Sequence, residues 1–69
     1  MITSKERKHI ISKAADIMLV NKPTARIRLT AYCEGYFTGK PVAPDEIEEL
    51  VDVAIANVEA VLEDLKGGK

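Results

Sequence analysis

From residue 44 to residue 66 the chain reads PDEIEELVDVAIANVEAVLEDLK, in which Ile47, Leu50, Val51, Ala54, Ile55, Val58, Leu62 and Leu65 form one apolar series. These positions keep the i, i+3, i+4, i+7 spacing of one helical stripe without losing phase, so a helix over 44–66 is predicted. Pro44 suits the first helical position, and Asp45, Glu46, Glu48 and Glu49 put negative charge at the positive end of the helix dipole. Lys66 stands at the opposite end, before Gly67 and Gly68, where a helix commonly stops. At ~1.5 Å per residue the helix is roughly 34 Å long. In a chain of 69 residues it must be the spine, and the question becomes what covers its stripe.

One cover lies near the start of the chain. Thr3-Ser4-Lys5-Glu6 offers a capping box in which Thr3 and Glu6 each satisfy an otherwise orphan backbone N–H. Ile10, Ile11, Ala14, Ile17 and Met18 follow as a buried stripe, and Asn21-Lys22-Pro23 ends the run because proline cannot continue the hydrogen-bond ladder. A helix over 4–20 is predicted, roughly 25 Å long and too short to cover the spine alone.

The middle segment carries two competing periods. Ala25, Leu29, Tyr32, Cys33, Tyr36 and Phe37 follow a helical stripe, with Gly39 and Pro41 as a stop. Ile27, Leu29, Ala31 and Cys33 also alternate with Arg26, Arg28, Thr30 and Tyr32 as a strand would, with Glu34-Gly35 as a hairpin turn. A lone two-stranded hairpin is weak, whereas Gly35 inside a helix costs only about 1 kcal/mol. The helical reading, over about 24–38, is preferred. The expected fold is therefore one all-α domain over 1–69, three helices with a long C-terminal one; the alternative is an α-β-β-α chain with a hairpin at about 25–40.

A core of this size is marginal by itself, which makes association with a second copy or another protein an expectation of size alone. Cys33 is the only cysteine and has no internal disulfide partner. No stretch approaches the ~20 apolar residues that span a bilayer, and the start lacks a signal-peptide layout, so the expected location is cytoplasmic with no membrane partner.

Gly35-Tyr-Phe-Thr-Gly39-Lys40 looks like a phosphate-binding loop, but its spacing is one residue short of G-x-x-x-x-G-K-[ST] and Pro41 stands where the magnesium-binding hydroxyl is needed. It reads as a connector. His9 and Cys33 are the only imidazole and the only thiol, and nothing in their spacing builds a nucleophile with its base. His9 reads as exposed and Cys33 as a small buried hydrophobe. Carboxylate pairs such as Glu48 with Asp52 or Glu59 with Glu63 lie one turn apart on a helix that supplies no cleft. No catalytic residue, metal site or cofactor is expected, and the chain is read as non-enzymatic.

Charge is the most informative functional feature. Residues 1–42 hold eight Lys and Arg against three acids, a balance of +5, and residues 43–69 hold two against eight, a balance of −6. Two helices around the break at Asn21–Thr24 resemble a helix-turn-helix in outline, which makes Lys5, Arg7, Lys8, Lys22, Thr24, Arg26 and Arg28 candidate nucleic-acid-binding residues. Arg26 and Arg28 lie ~200° apart on a helix and so cannot read one groove together. On the long helix, Val53, Ala56, Ala60, Leu62 and Leu65 are the candidate interaction surface. The leading expectation is a helical protein-protein interaction module, an accessory or adaptor that forms a homodimer or meets another, unidentified protein through its acidic C-terminal helix. The alternative is a small dimeric DNA-binding regulator that uses the basic half.

Overall fold

The computed structural model describes residues 2–67 and contains three α-helices: α1 (Ser4–Val20), α2 (Ala25–Tyr36) and α3 (Pro44–Gly67). No strand occurs among the described residues. Helix α1 begins as the capping box requires. The Glu6 N–H donates to Thr3 Oγ1 at 3.1 Å, and the Thr3 N–H donates to Glu6 Oε1 at 2.9 Å. The Thr3 backbone N–H holds the Glu6 carboxyl below its ordinary value of 4.5, against an opposing desolvation cost, and the Thr3 hydroxyl and the Lys40 ammonium reinforce the lowering. At the other end the Asn21 N–H closes the last turn on the Ile17 carbonyl, and Lys22–Thr24 form one 3-10 turn around Pro23.

The middle segment is a helix, and the hairpin alternative at 25–40 is not supported. Ala25, Leu29, Cys33 and Phe37 recur every fourth residue and are all buried, whereas Ile27, which a strand would point inward beside Leu29, is 73% exposed. Helix α2 is shorter than the expected 24–38 at both ends. Thr24 is taken up by the 3-10 turn, and after Tyr36 the ladder tightens, with the Thr38 N–H reaching Gly35 rather than Glu34. Gly39, expected to cap this helix, instead sits in the next turn, closed by the Lys40 N–H on the Phe37 carbonyl, where its φ of 81° is a conformation that favours glycine.

Helix α3 starts at Pro44, and the Ala43 N–H that precedes it is satisfied by Glu46 Oε1 at 3.0 Å. Its expected stop at Gly67-Gly68 falls at the edge of the description: Gly67 is helical, and Gly68 lies outside the described residues. Side-chain pairings set the directions of the helices. Glu6 at the start of α1 meets Lys40 just beyond α2, and Arg26 at the start of α2 meets Asp52 in the middle of α3. Helix α2 thus runs antiparallel to both neighbours, and α1 and α3 run the same way. The core is one cluster, with Ile10, Ala14 and Met18 from α1, Ala25, Leu29 and Cys33 from α2, and Leu50, Val51, Ala54 and Val58 from α3. Ile2 and Phe37 close it at one end. The described chain is elongated, 43 × 23 × 16 Å, because α3 outruns its cover.

The two glycines should respond oppositely to alanine. Nothing stands within 4 Å of a methyl built on Gly35 in α2, so Gly35→Ala should raise stability by roughly 0.5–1 kcal/mol in urea unfolding. Gly39→Ala should lower it by about 1–2 kcal/mol because of its positive φ. The cap gives a pH signature. Because the folded pKa of Glu6 is depressed, its contribution is complete above 4.5 and fades as the pH falls through the lower folded value. Thermal unfolding of Glu6→Gln should therefore differ from the parent near neutral pH and converge with it in acid.

Candidate interaction surfaces

The parallel course of α1 and α3 puts the end of α3 beside the α1–α2 turn, and there the cover runs out. Val58 is 6% exposed, Leu62 is half-buried, and Val61 and Leu65 are 57% and 72% exposed although they continue the phase of the buried stripe. Leu19 and Val20, at the same end of α1, are also exposed. The groove beside Leu62 and Leu65 carries both signs of charge, Lys22 and Lys66 against Glu59 and Glu63. The expected interaction surface is thus two surfaces. Leu62 and Leu65 belong to this distal end, whereas Val53, Ala56 and Ala60, all exposed, form a separate row at i, i+3 and i+7 on the outer side of α3. Val61, Leu19 and Val20 went unnoticed in the sequence because their exposure depends on where the neighbouring helices stop.

The candidate nucleic-acid residues are also divided. Lys5, Arg7 and Lys8 are exposed at the start of α1, and Lys22 lies at the opposite end, in the groove beside Leu65. Thr24 is half-buried, and its Oγ1 accepts a hydrogen bond from Arg28 Nε at 3.1 Å. Arg26 forms an ion pair with Asp52 on α3. The two arginines therefore turn to different sides of α2, as their spacing requires.

A cluster that sequence reasoning missed lies between α1 and α2. His9 is exposed, as expected, but its Nε2 is 2.6 Å from the Tyr32 hydroxyl and its ring stacks on Tyr36 at 4.9 Å between centroids. Tyr32 and Tyr36 lie 6.0 Å apart with planes inclined by only 16°, and Phe37 meets Tyr36 edge-on from the core side. Lys13 Nζ stands 5.2 Å from the Tyr32 ring centre and Lys40 Nζ 5.8 Å from that of Tyr36. Lys40 also pairs with Glu6 at 3.5 Å. The signal in the sequence was the i, i+4 spacing of His9 with Lys13 and of Tyr32 with Tyr36; the register that brings the two pairs together is a tertiary fact.

A third surface, an open groove of about 420 Å³ between α2 and α3, has Arg26, Thr30 and Glu34 on one side and Val42, Ile47 and Glu48 on the other. Among the described residues no cluster of three or more His, Cys, Asp or Glu has a metal-holding arrangement, and no helix is long and apolar enough to cross a membrane. Comparison of the chain with known protein families, with curated proteins and with solved structures finds no match in any of the three.

Cys33 is fully buried in the core, and burial, with a smaller push from the charge of Glu34, raises its thiol from 9.0 to about 11. Both effects remove the reactive thiolate. Native protein at pH 8 should react with a disulfide reagent at least ~100-fold more slowly than protein in denaturant, since the thiolate fraction alone falls by about that factor. Fast native labelling would contradict the placement of Cys33 in the core.

Proposed function

We propose that the chain is a non-enzymatic helical interaction module, working in the cytoplasm, that self-associates through the distal end of α3. The observation that carries the reading is the exposure of Val61 and Leu65, 57% and 72%, in phase with a stripe whose other members are buried or half-buried. Large apolar side chains clustered at one end, rimmed by charge, are the usual mark of a protein contact. A second copy suits this end because an isologous interface needs a patch that complements itself, and Lys22 and Lys66 of one copy can face Glu59 and Glu63 of the other. Docking with a different protein would use the same surface. A helix-turn-helix regulator is less well supported, because Arg26 is engaged by Asp52 and Arg28, ~200° away around α2, cannot enter the same groove with it.

Sedimentation equilibrium over a range of concentrations tests the reading. The parent chain should dimerise, and Leu65→Lys or Val61→Lys should shift the equilibrium toward monomer by tenfold or more in dissociation constant, about 1.4 kcal/mol. Circular dichroism should be unchanged, since both side chains are largely exposed. A parent chain that stays monomeric at high concentration would remove self-association and leave the surface for another partner.

A further inference from the structure

The ring cluster between α1 and α2 belongs to a larger face. On α1, Lys5, His9 and Lys13 follow one another at i, i+4 and i+8, and on α2 Arg28, Tyr32 and Tyr36 do the same, with Lys40 closing the row. Lys13 and Lys40 thus stand over three rings whose planes are inclined to one another by between 16° and 41°, and Lys5 and Arg28 extend the two rows by one turn at the exposed surface. The carboxylates on this side are Glu6, held by the Thr3 N–H and 3.5 Å from Lys40, which would exchange it for a phosphate, and the exposed Asp16. The acidic residues from 44 to 64 all lie on α3, and Arg26 and Glu34 turn toward that helix, so folding separates charges that the sequence merely places in different halves.

From this face we infer that the chain binds single-stranded nucleic acid across α1 and α2, its backbone phosphates on Lys5, Lys13, Arg28 and Lys40 and its bases against His9, Tyr32 and Tyr36. Cations that follow a phosphate backbone, interleaved with rings on which bases stack, are what recognition of single strands without sequence preference requires. A duplex suits the face less well, because its bases keep their flat sides stacked inside and offer only edges. An acidic peptide would use the cations and leave the rings without a role. The inference does not rest on self-association, whose surface is at the distal end of α3.

Fluorescence anisotropy with a labelled oligothymidylate of about 20 nucleotides, its duplex with oligoadenylate, and unlabelled polyglutamate as competitor tests it. The full chain should bind the single strand in preference to the duplex. With about four phosphates engaged at a slope of roughly 0.7 each, affinity should fall roughly fifty-fold between about 50 and 200 mM salt. Tyr36→Ala should weaken binding by ~5-fold or more through lost stacking. Lys13→Gln with Arg28→Gln should reduce the salt slope by roughly 1.4. Arg7→Gln, an exposed cation ~200° around α1 from Lys5, should change affinity less than either. Should Tyr36→Ala lose its helical circular dichroism, the double lysine–arginine variant decides alone. No binding at the lower salt, tighter binding of the duplex, stronger competition by polyglutamate than by unlabelled oligothymidylate, an unchanged slope in the double variant, or an equal loss with Arg7→Gln would each overturn the inference.

Discussion

Everything in this fold follows from one helix being longer than what covers it. Helix α3 has 24 residues, about 36 Å, and its apolar stripe must be shielded by α1 with 17 residues and α2 with 12. Because α2 turns back at Lys22–Thr24, the cover ends where that turn lies. Before the turn the stripe is sealed, as at Leu50, Val51 and Ala54; beyond it the same stripe carries Val61 and Leu65 into water. Burying those two residues would release about 25 cal/mol for each Å² of apolar surface, and the chain has no fourth helix among its described residues to do so.

The sequence was legible wherever a single chain segment contains the whole signal. The capping box needs only Thr3 and Glu6, and the bounds of α1 were readable to the residue. The start of α3 was equally plain, because Pro44 and its acidic first turn act locally. In the middle segment Ile27 decided between helix and strand, and its exposure depends on neighbours that no local window contains. The ends of α2 were misplaced for a related reason. Thr24 and Thr38 border the helix, and their actual states come from the turn around Pro23 and from Gly39 taking a positive φ one residue beyond the position of a helix cap.

The surfaces were less legible than the fold. Leu62 and Leu65 share a stripe that the sequence makes plain, but Val53, Ala56 and Ala60, expected on the same surface, lie by helical phase on another side of α3. The charge asymmetry was visible as a difference between halves of the chain, yet its meaning depends on packing. Arg26 has no special status among the cations until α3 brings Asp52 beside it. Conversely His9, plain in the sequence, acquires neighbours only when antiparallel packing sets residue 9 opposite residues 32 and 36.

Small side chains explain how one face can hold so many rings and cations without a cleft. Ala14, Ala25, Cys33 and Ala54 alternate with Ile10, Leu29, Leu50 and Val51 in the interior, and the described chain is 16 Å across its thinnest direction. Aromatic residues that a wider core would have taken in are left at its edge: Phe37 is buried, but Tyr32 and Tyr36 are half-buried with their rings along the α1–α2 seam. There His9 caps the Tyr32 hydroxyl, and Lys13 and Lys40 approach the ring faces. Such contacts contribute roughly 0.5–1 kcal/mol each at an exposed site. A thin core thus has two consequences at once. It leaves the end of α3 uncovered, with Val61 and Leu65 in water, and it leaves the rings of Tyr32 and Tyr36 half-exposed along the α1–α2 seam.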